Sequence, residues 1–327
     1  MIKFFRQSYA IQYVVLALIA IALWLPAFIA GEVETSLGSS VTPLYNLINR
    51  LLSFSPFLMV LFAFFWMVME ALMVNAMLVE SQIITKVSTM GAFVFVLMTS
   101  LTMTQTNFYP FALASVFILL TIHVLFGVYQ SQDPTFNLLN AGIFVALASM
   151  MYFPSIVLIP WIFVSLIIAK EGKLRLQLLP LLGFFLVYFL YFSCVYIFGD
   201  LLAVLNAYKT HFGEFRLSIA GFNTRTIAVI VMTLLPAIIL MFGKKNSNFE
   251  KTIAVRIRMM MTALLAVIAL LLLFFPGTVL MHGLIFIVLT IFFSYEFSYM
   301  GNTGWAELFL FFFVVLVFAN HYFFKWL

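Results

Sequence analysis

Long runs of apolar residues, each ended by a few polar ones, recur along the whole chain. Helices of this length fit the hydrocarbon core of a bilayer, whereas barrel strands alternate apolar and polar residues over about ten positions. The run 136–169 is too long for one helix and divides at Pro154, because proline breaks a helix. The pattern predicts about eleven spanning helices, within roughly 10 to 12. They are 9–30, 56–78, 89–107, 110–129, 136–152, 154–169, 177–198, 226–243, 259–275, 278–295 and 305–322.

The composition changes this picture only by excluding a soluble fold. Hydrophobic residues make up 65% of the chain and charged residues 8%, and 41 residues are phenylalanine; soluble domains have about 25% charged residues. Lipid provides no hydrogen-bond partners for the backbone, so such a chain is expected to fold as helices. We therefore expect an all-α polytopic membrane helical bundle that forms a single domain, 1–327.

The lysine and arginine positions predict the orientation. With a cytoplasmic N-terminus, eleven of them fall in cytoplasmic segments and five fall outside, as the positive-inside rule requires. Topology and anionic lipid then explain the net charge of +5, so nucleic acid is not an expected partner. We expect a multi-pass protein of the bacterial inner membrane, with membrane lipids and other membrane proteins as partners.

The first polar segment on the predicted extracytoplasmic side is the loop 31–55. It contains two carboxylates, Glu32 and Glu34, directly after the first span. In 43–53, polar and apolar residues recur at the spacing of an amphipathic helix that lies in the membrane interface. The two glutamates, Glu32 and Glu34, are either functional carboxylates at the outer end of the first span or, equally, solvated loop carboxylates.

The second polar segment on that side is the loop 199–225. It carries Lys209, His211, Arg216 and Arg225. Basic side chains near a membrane surface can hold a phosphate or pyrophosphate head group, which makes these four candidate substrate-binding residues. The alternative is a solvated loop.

Glu70 is an ionisable residue inside the predicted span 56–78. A carboxylate in hydrocarbon costs about 3 kcal/mol or more, so it normally faces a partner or a cavity. Asn75 follows on its cytoplasmic side, which predicts that Glu70 lies in the inner half of the membrane. His123 and His282 are candidates to pair with it. Glu70 is then either a structural hydrogen-bonding group or part of a proton or ion path.

Several kinds of chemistry lack their sequence motifs. The chain has no glycine-rich phosphate loop and no HExxH zinc motif, and its four histidines stand in separate elements. Its single cysteine, Cys194, lies inside an apolar run and cannot form an intrachain disulfide. We predict no cofactor, although a divalent metal at Glu32 and Glu34 stays open.

The stretch "NLLNAGIFVALASMMYFPSIVLIPWIFVSLIIAKEGKLRLQLLPLLGFFLVYFL" resembles the middle of the multi-spanning GT-C glycosyltransferases. It has a small-residue helix around Ala141 and Gly142, a proline-marked turn, and a second short helix that ends in basic residues. The first outer loop is also similar to that of these enzymes, which carry acidic residues there, followed by helices along the membrane. This resemblance implies a GT-C-like arrangement, a polyprenyl-phosphate-linked sugar donor, and Glu32 or Glu34 as catalytic base or metal-associated group.

The whole chain looks more specifically similar to a set of multi-spanning membrane proteins of the Bacteroidota. The shared features are a basic N-terminus, "ALWLPAF" in the first helix, "TPLYNLI" in the in-plane helix and "WAELFLF" near the end. This resemblance implies no activity. Three functions stay open: a transferase of cell-envelope biogenesis, a non-catalytic subunit or scaffold of an envelope complex, and a lipid or ion transporter centred on Glu70.

Overall fold

The computed structural model describes 1–30, 42–84, 88–101, 109–129, 131–169, 173–214, 253–272, 282–299, 304–320 and 322. Regular structure in these ranges is helical, and no strand occurs in them. A 3₁₀ helix, Phe153–Val157, precedes α8. The α-helices are α1 (Ile2–Phe5), α2 (Ala10–Ala30), α3 (Pro43–Leu52), α4 (Pro56–Glu80), α5 (Met90–Thr99), α6 (Pro110–Val128), α7 (Thr135–Met151), α8 (Leu158–Ile168), α9 (Leu174–Phe198), α10 (Leu201–Glu214), α11 (Ile253–Leu272), α12 (His282–Tyr299) and α13 (Gly304–Ala319).

Five of these helices, α2, α4, α6, α9 and α11, are long and apolar enough to cross a membrane. The apolar helices α5, α7, α12 and α13, and the 3₁₀ helix with α8, are shorter. Each of these elements overlaps a predicted span, and the predicted span 226–243 lies outside the described residues. The sequence pattern therefore located the apolar helices, while the total number of membrane crossings stays a prediction.

The boundaries of α11 differ from the prediction. We expected a helix over 259–275, but α11 begins at Ile253 and includes Arg256 and Arg258. Arg258 is buried, since its exposed fraction is 2%. The sequence analysis placed basic residues in the loops, so it predicted the start of this helix too late. Such a rule does not hold for an arginine that is buried and bonds to neighbouring helices.

Helices α6, α7 and α9 form the most extensively packed part of the bundle. A Cβ atom placed on Gly142 of α7 would lie 1.9 Å from the carbonyl oxygen of Pro180 in α9. A Cβ atom on Gly183 of α9 would lie 2.2 Å from the carbonyl oxygen of Leu139. Only glycine permits backbones to approach so closely, as is usual where membrane helices cross.

Arg258 joins three helices at the side predicted to be cytoplasmic. Its Nε donates to the carbonyl oxygen of Phe126, 3.0 Å away near the end of α6, and its Nη1 donates to the carbonyl oxygen of Ser81, directly after α4. Carbonyls at helix C-termini lack intrahelical partners and carry partial negative charge, so they stabilise a buried guanidinium.

Arg6 makes a similar contact at the start of the chain. Its Nε donates to the carbonyl oxygen of Phe297 in α12, 2.8 Å away. Burial lowers the pKa of the Arg6 guanidinium, while the negative charge of Glu307 acts in the opposite direction. The N-terminal segment is thus held against the predicted cytoplasmic end of α12.

Contacts at the opposite side also agree with the predicted alternation of helix direction. Asn320, just after α13, donates to the carbonyl oxygen of Leu101, which follows α5, at 3.1 Å. The hydroxyl of Tyr322 donates to the carbonyl oxygen of Ala22 in α2 at 2.6 Å. Both pairs join segments that the predicted topology assigns to the extracytoplasmic half.

The predicted amphipathic helix is present as α3, with a proline in its first turn, where no backbone N–H is needed. Tyr45 is fully buried, and the helix contacts α4 and α7. Leu47 and Leu51 are largely exposed. This distribution fits a helix that packs on the bundle through one side and presents apolar side chains to lipid through another.

The segment 199–225 begins with a helix where the sequence analysis expected a polar loop. Asp200 accepts hydrogen bonds from the backbone N–H groups of Leu202 and Ala203, at 3.0 and 3.2 Å, and so caps α10. The helix folds back along α9, because Tyr208 lies against Phe192 with ring centroids 5.9 Å apart. The remainder of this segment, from 215, is not among the described residues.

Candidate functional site

Glu70 is buried at the packing surface between α4 and α6, with an exposed fraction of 4%. The hydroxyl of Ser115 in α6 donates to Glu70 Oε1. The same hydroxyl also lies 2.6 Å from the carbonyl oxygen of Ala112, which accepts a further hydrogen bond of 2.9 Å from Trp66 Nε1. A carboxyl group, a hydroxyl and a backbone carbonyl therefore form one connected chain inside the bundle.

This chain is compatible with two proton arrangements. A hydroxyl has one proton to donate. If Ser115 donates to Glu70, the carboxylate can be ionised. If Ser115 instead donates to the carbonyl of Ala112, its hydroxyl has no proton left for Glu70. The hydrogen bond between Ser115 and Glu70 then requires a proton on Glu70. Rotation of one hydroxyl therefore accommodates either protonation state without moving a helix.

A small cavity adjoins Glu70. Its volume is about 20 Å³, which is enough for roughly one water molecule. Helices α2, α4, α5, α6 and α12 contribute to its lining. Trp24 of α2 belongs to this lining, and its Nε1 is buried without a hydrogen-bond partner. A buried N–H of this kind is costly unless a polar group or water reaches it.

The cavity lies near the predicted extracytoplasmic ends of its helices. Thr99 is the last residue of α5, Ser115 is the sixth of α6 and Gly283 is the second of α12, and all three line it. The cavity thus lies level with the first turns of α6 and α12, while the half of the membrane in which Glu70 lies stays a prediction. The Thr99 hydroxyl donates to the carbonyl oxygen of Phe95 in its own helix, 2.9 Å away.

Helices α4 and α6 are offset along their axes. Helix α4 is 25 residues long and α6 is 19 residues long, and Trp66 rather than Pro56 lies level with Ala112. The first turns of α4 thus extend beyond the start of α6. Counting from the ends of α4 alone places Glu70 deeper than its neighbours do.

The two histidines proposed as partners of Glu70 have different positions. His123 Nε2 lies 3.4 Å from Glu80 Oε2, and His123 is eight residues beyond Ser115, about 12 Å along α6. His123 therefore pairs with Glu80 and not with Glu70. His282 begins α12, and its side chain is not described, but the next residue, Gly283, lines the Glu70 cavity.

Asn75 is buried and its Oδ1 has no hydrogen-bond partner. It faces α5, because a Cβ atom on Gly91 would lie 3.1 Å from that oxygen. Asn75 is not part of the cavity lining around Glu70. The structure therefore does not bring together the two polar residues that the sequence analysis singled out in this span.

A second polar cavity lies at the other end of α4 and α6, with a volume of about 250 Å³. Glu80, His123, Asn137 and Arg258 contribute to its lining. Glu80 and His123 are partly exposed, at 65% and 42% of their side chains. This cavity therefore has polar, partly exposed side chains at the side predicted to be cytoplasmic.

The candidate residues of the outer loops are described only in part. Glu32, Glu34, Arg216 and Arg225 lie outside the described residues, and so does the metal site left open at the two glutamates. Lys209 is exposed on α10; His211 lies on the same helix, but its side chain is not described. In the described ranges, no three acidic, histidine or cysteine residues are grouped to hold a metal ion.

Sequence reasoning missed the residues that surround Glu70. Trp66 could have been found, because a residue four positions earlier lies on the same side of a helix. Ser115 and Trp24 could not, because they lie on other helices whose pairing one sequence does not reveal. Arg258 was counted only as a topological charge.

No family model, curated protein or solved structure matches the chain. The two resemblances found in the sequence therefore stay predictions. The described residues define an all-helical protein with five helices suited to crossing a membrane and a carboxyl group buried among them.

Proposed function

We propose that the protein is a transporter of the bacterial inner membrane in which Glu70 carries the coupling proton. In this proposal about eleven helices span the bilayer from a cytoplasmic N-terminus. The observation that carries the proposal is the burial of Glu70 beside Ser115 and a water-sized cavity near the outer ends of its helices. Intramembrane carboxyl groups in such surroundings commonly mark proton or ion paths.

The geometry supports a simple proton-exchange step. In the protonated state, Glu70 would donate to the Ser115 hydroxyl, which would in turn donate to the carbonyl oxygen of Ala112, 2.6 Å away. When the proton leaves for water in the cavity, the Ser115 hydroxyl turns and donates to the carboxylate. The transported substrate is an ion or a lipid, whose movement is coupled to this exchange.

The substitution Glu70→Gln tests the proposal. Glutamine keeps the size and hydrogen-bonding capacity of a protonated carboxyl group but cannot release a proton. We expect the infrared carbonyl band of a titrating carboxylic acid, followed from acid to alkaline buffer, to be present in the wild type and absent in the variant. In proteoliposomes under an imposed potassium gradient, we also expect the variant to lose proton uptake.

Glu80→Gln is the matched control, because it removes an exposed carboxyl group from the same helix. It should retain the buried-carboxyl band. If wild-type protein and the Glu70 variant give the same infrared titration and the same proton uptake, Glu70 does not carry a proton and the proposal fails.

A second candidate is a transferase of cell-envelope biogenesis that uses a polyprenyl-phosphate-linked donor at the extracytoplasmic face. The specific observation in its favour is α3, which follows Glu32 and Glu34 and packs against α4 and α7. The resemblance to GT-C glycosyltransferases supplies the chemistry: one glutamate would activate the acceptor hydroxyl as a general base.

Glu32→Gln and Glu34→Gln test this second candidate. At least one variant should abolish an envelope glycan while the protein accumulates to its normal level, and Glu70→Gln should leave that glycan intact. Normal glycan in both variants would exclude the transferase. Tolerance of all three substitutions, together with a co-purifying membrane protein, would instead favour a non-catalytic subunit.

A further inference from the structure

An aromatic groove runs along the side of the bundle away from Glu70. Its volume is about 460 Å³, within the range of about 300–1,000 Å³ usual for sites of small organic ligands. Five phenylalanines, one isoleucine and two tyrosines line it, from the 3₁₀ helix, α9 and α10. The groove is therefore apolar throughout its length.

The groove is open towards the lipid-facing side of α9. Phe185 and Phe189 belong to its lining and are 61% and 71% exposed. Helix α9 is long and apolar enough to span a membrane. Yet only 22% of the residues in its most apolar 18-residue stretch are buried within the protein. A groove in such a helix face meets hydrocarbon chains and not water.

The hydroxyl groups of the two tyrosines do not make the groove polar. Tyr188 OH lies 2.8 Å from the hydroxyl oxygen of Ser149 in α7. Tyr208 packs on Phe153 and Tyr188 with centroid distances of 5.6 and 6.3 Å, and burial raises the pKa of its phenol, which keeps it uncharged. The groove thus presents ring faces, which suit a hydrocarbon chain better than a head group.

A positive charge follows the last groove residue along α10. Lys209 follows Tyr208 directly on α10 and is exposed, so its flexible stem can carry the ammonium to the membrane surface. Two acidic residues flank Lys209 on this segment: Asp200, which is engaged by backbone N–H groups of α10, and Glu214 at the end of α10, whose side chain is not described. The charge of Lys209 complements an anionic head group.

We propose that this groove binds one acyl chain of an anionic phospholipid, whose phosphate pairs with Lys209. The chain would lie against Phe184, Phe189 and Phe192 and extend towards the middle of the bilayer. This binding site is separate from the Glu70 cavity and does not depend on the transport proposal.

Photo-crosslinking tests the proposal with the full-length protein in vesicles. The probe is phosphatidylglycerol with a diazirine on one acyl chain, and phosphatidylcholine with the same chain is the comparison. We expect phosphatidylglycerol to label the fragment 176–209 several-fold more strongly, and unlabelled phosphatidylglycerol to compete. Ile156→Trp, which fills the groove, should reduce the labelling several-fold; Ile156→Phe is the milder substitute if the first variant does not fold.

Two lysines on the same helical hairpin supply the charge control. Lys209→Gln should remove the preference for phosphatidylglycerol, whereas Lys173→Gln, at the opposite end of α9, should preserve it. The proposal is overturned if both lipids label the fragment equally and neither the groove-filling variants nor Lys209→Gln changes that labelling. Such a result would show only boundary lipid. Absence of label from 176–209, with labelling of other helices retained, would show that protein covers the groove and would also overturn it.

Discussion

Replacing Gly142 with alanine is expected to destabilise the protein by about 1–3 kcal/mol or more. The new Cβ atom would lie 1.9 Å from the carbonyl oxygen of Pro180, and this neighbour is backbone. A side chain can rotate away from such a contact, but a backbone carbonyl moves only if the helix moves. Helices α7 and α9 would have to separate, and the extensive packing between them would loosen.

The measurement is the thermal stability of purified protein, followed by the loss of the monodisperse peak in size-exclusion chromatography after heating. Gly127→Ala is the control, because its Cβ atom would meet only Asn137 Nδ2 at 3.8 Å, an ordinary contact. Since alanine favours a helix over glycine by about 1 kcal/mol, this control should be neutral or more stable. Equal stability of both variants would show that the α7 and α9 crossing tolerates a side chain.

The second large effect is expected for Arg258→Gln. The variant loses hydrogen bonds from a guanidinium to the carbonyl oxygens of Phe126 and Ser81, and bonds to charged groups contribute about 1.5–3 kcal/mol each. Glutamine is shorter and uncharged, so it cannot bridge both helix ends. We expect α4, α6 and α11 to separate at this end at a lower temperature than in the wild type.

Arg256→Gln is the matched control, since Arg256 is an exposed arginine on the same helix. It should keep the wild-type melting temperature, although both variants lose one positive charge from the predicted cytoplasmic side. If Arg258→Gln has the same melting temperature as Arg256→Gln and the wild type, the buried arginine does not hold the three helices together.

The sequence was sufficient to predict where the helices lie along the chain. It was not sufficient to predict which helices pack against each other. Apolar runs predicted helices close to their observed ends because each run is as long as the element it forms, as at Pro110–Val128 and Leu174–Phe198. The amphipathic spacing around Tyr45 predicted α3 in the same way. Such patterns depend on residues close together in the chain.

Features that depend on two helices were predicted less well. The hydroxyl of Ser115 reaches Glu70 across a gap of 45 residues, and nothing in either segment marks the other. His123 was a predicted candidate to pair with Glu70, but it pairs with Glu80. Which glutamate it reaches depends on how far α4 is shifted along its axis relative to α6. That offset is fixed by contacts such as the bond from Trp66 to Ala112.

The stretch of α4 between Glu70 and Glu80 has an electrical consequence. The two carboxyl groups are ten residues apart, about 15 Å along the helix axis, and every residue between them except Asn75 is apolar. A low-dielectric stretch of this kind acts as an insulator, so part of any voltage across the bundle falls across it. A full membrane voltage changes the energy of one charge by about 2.3 kcal/mol per 100 mV. Charge that passes between the cytoplasmic cavity and the Glu70 cavity would therefore be driven by membrane voltage as well as by concentration.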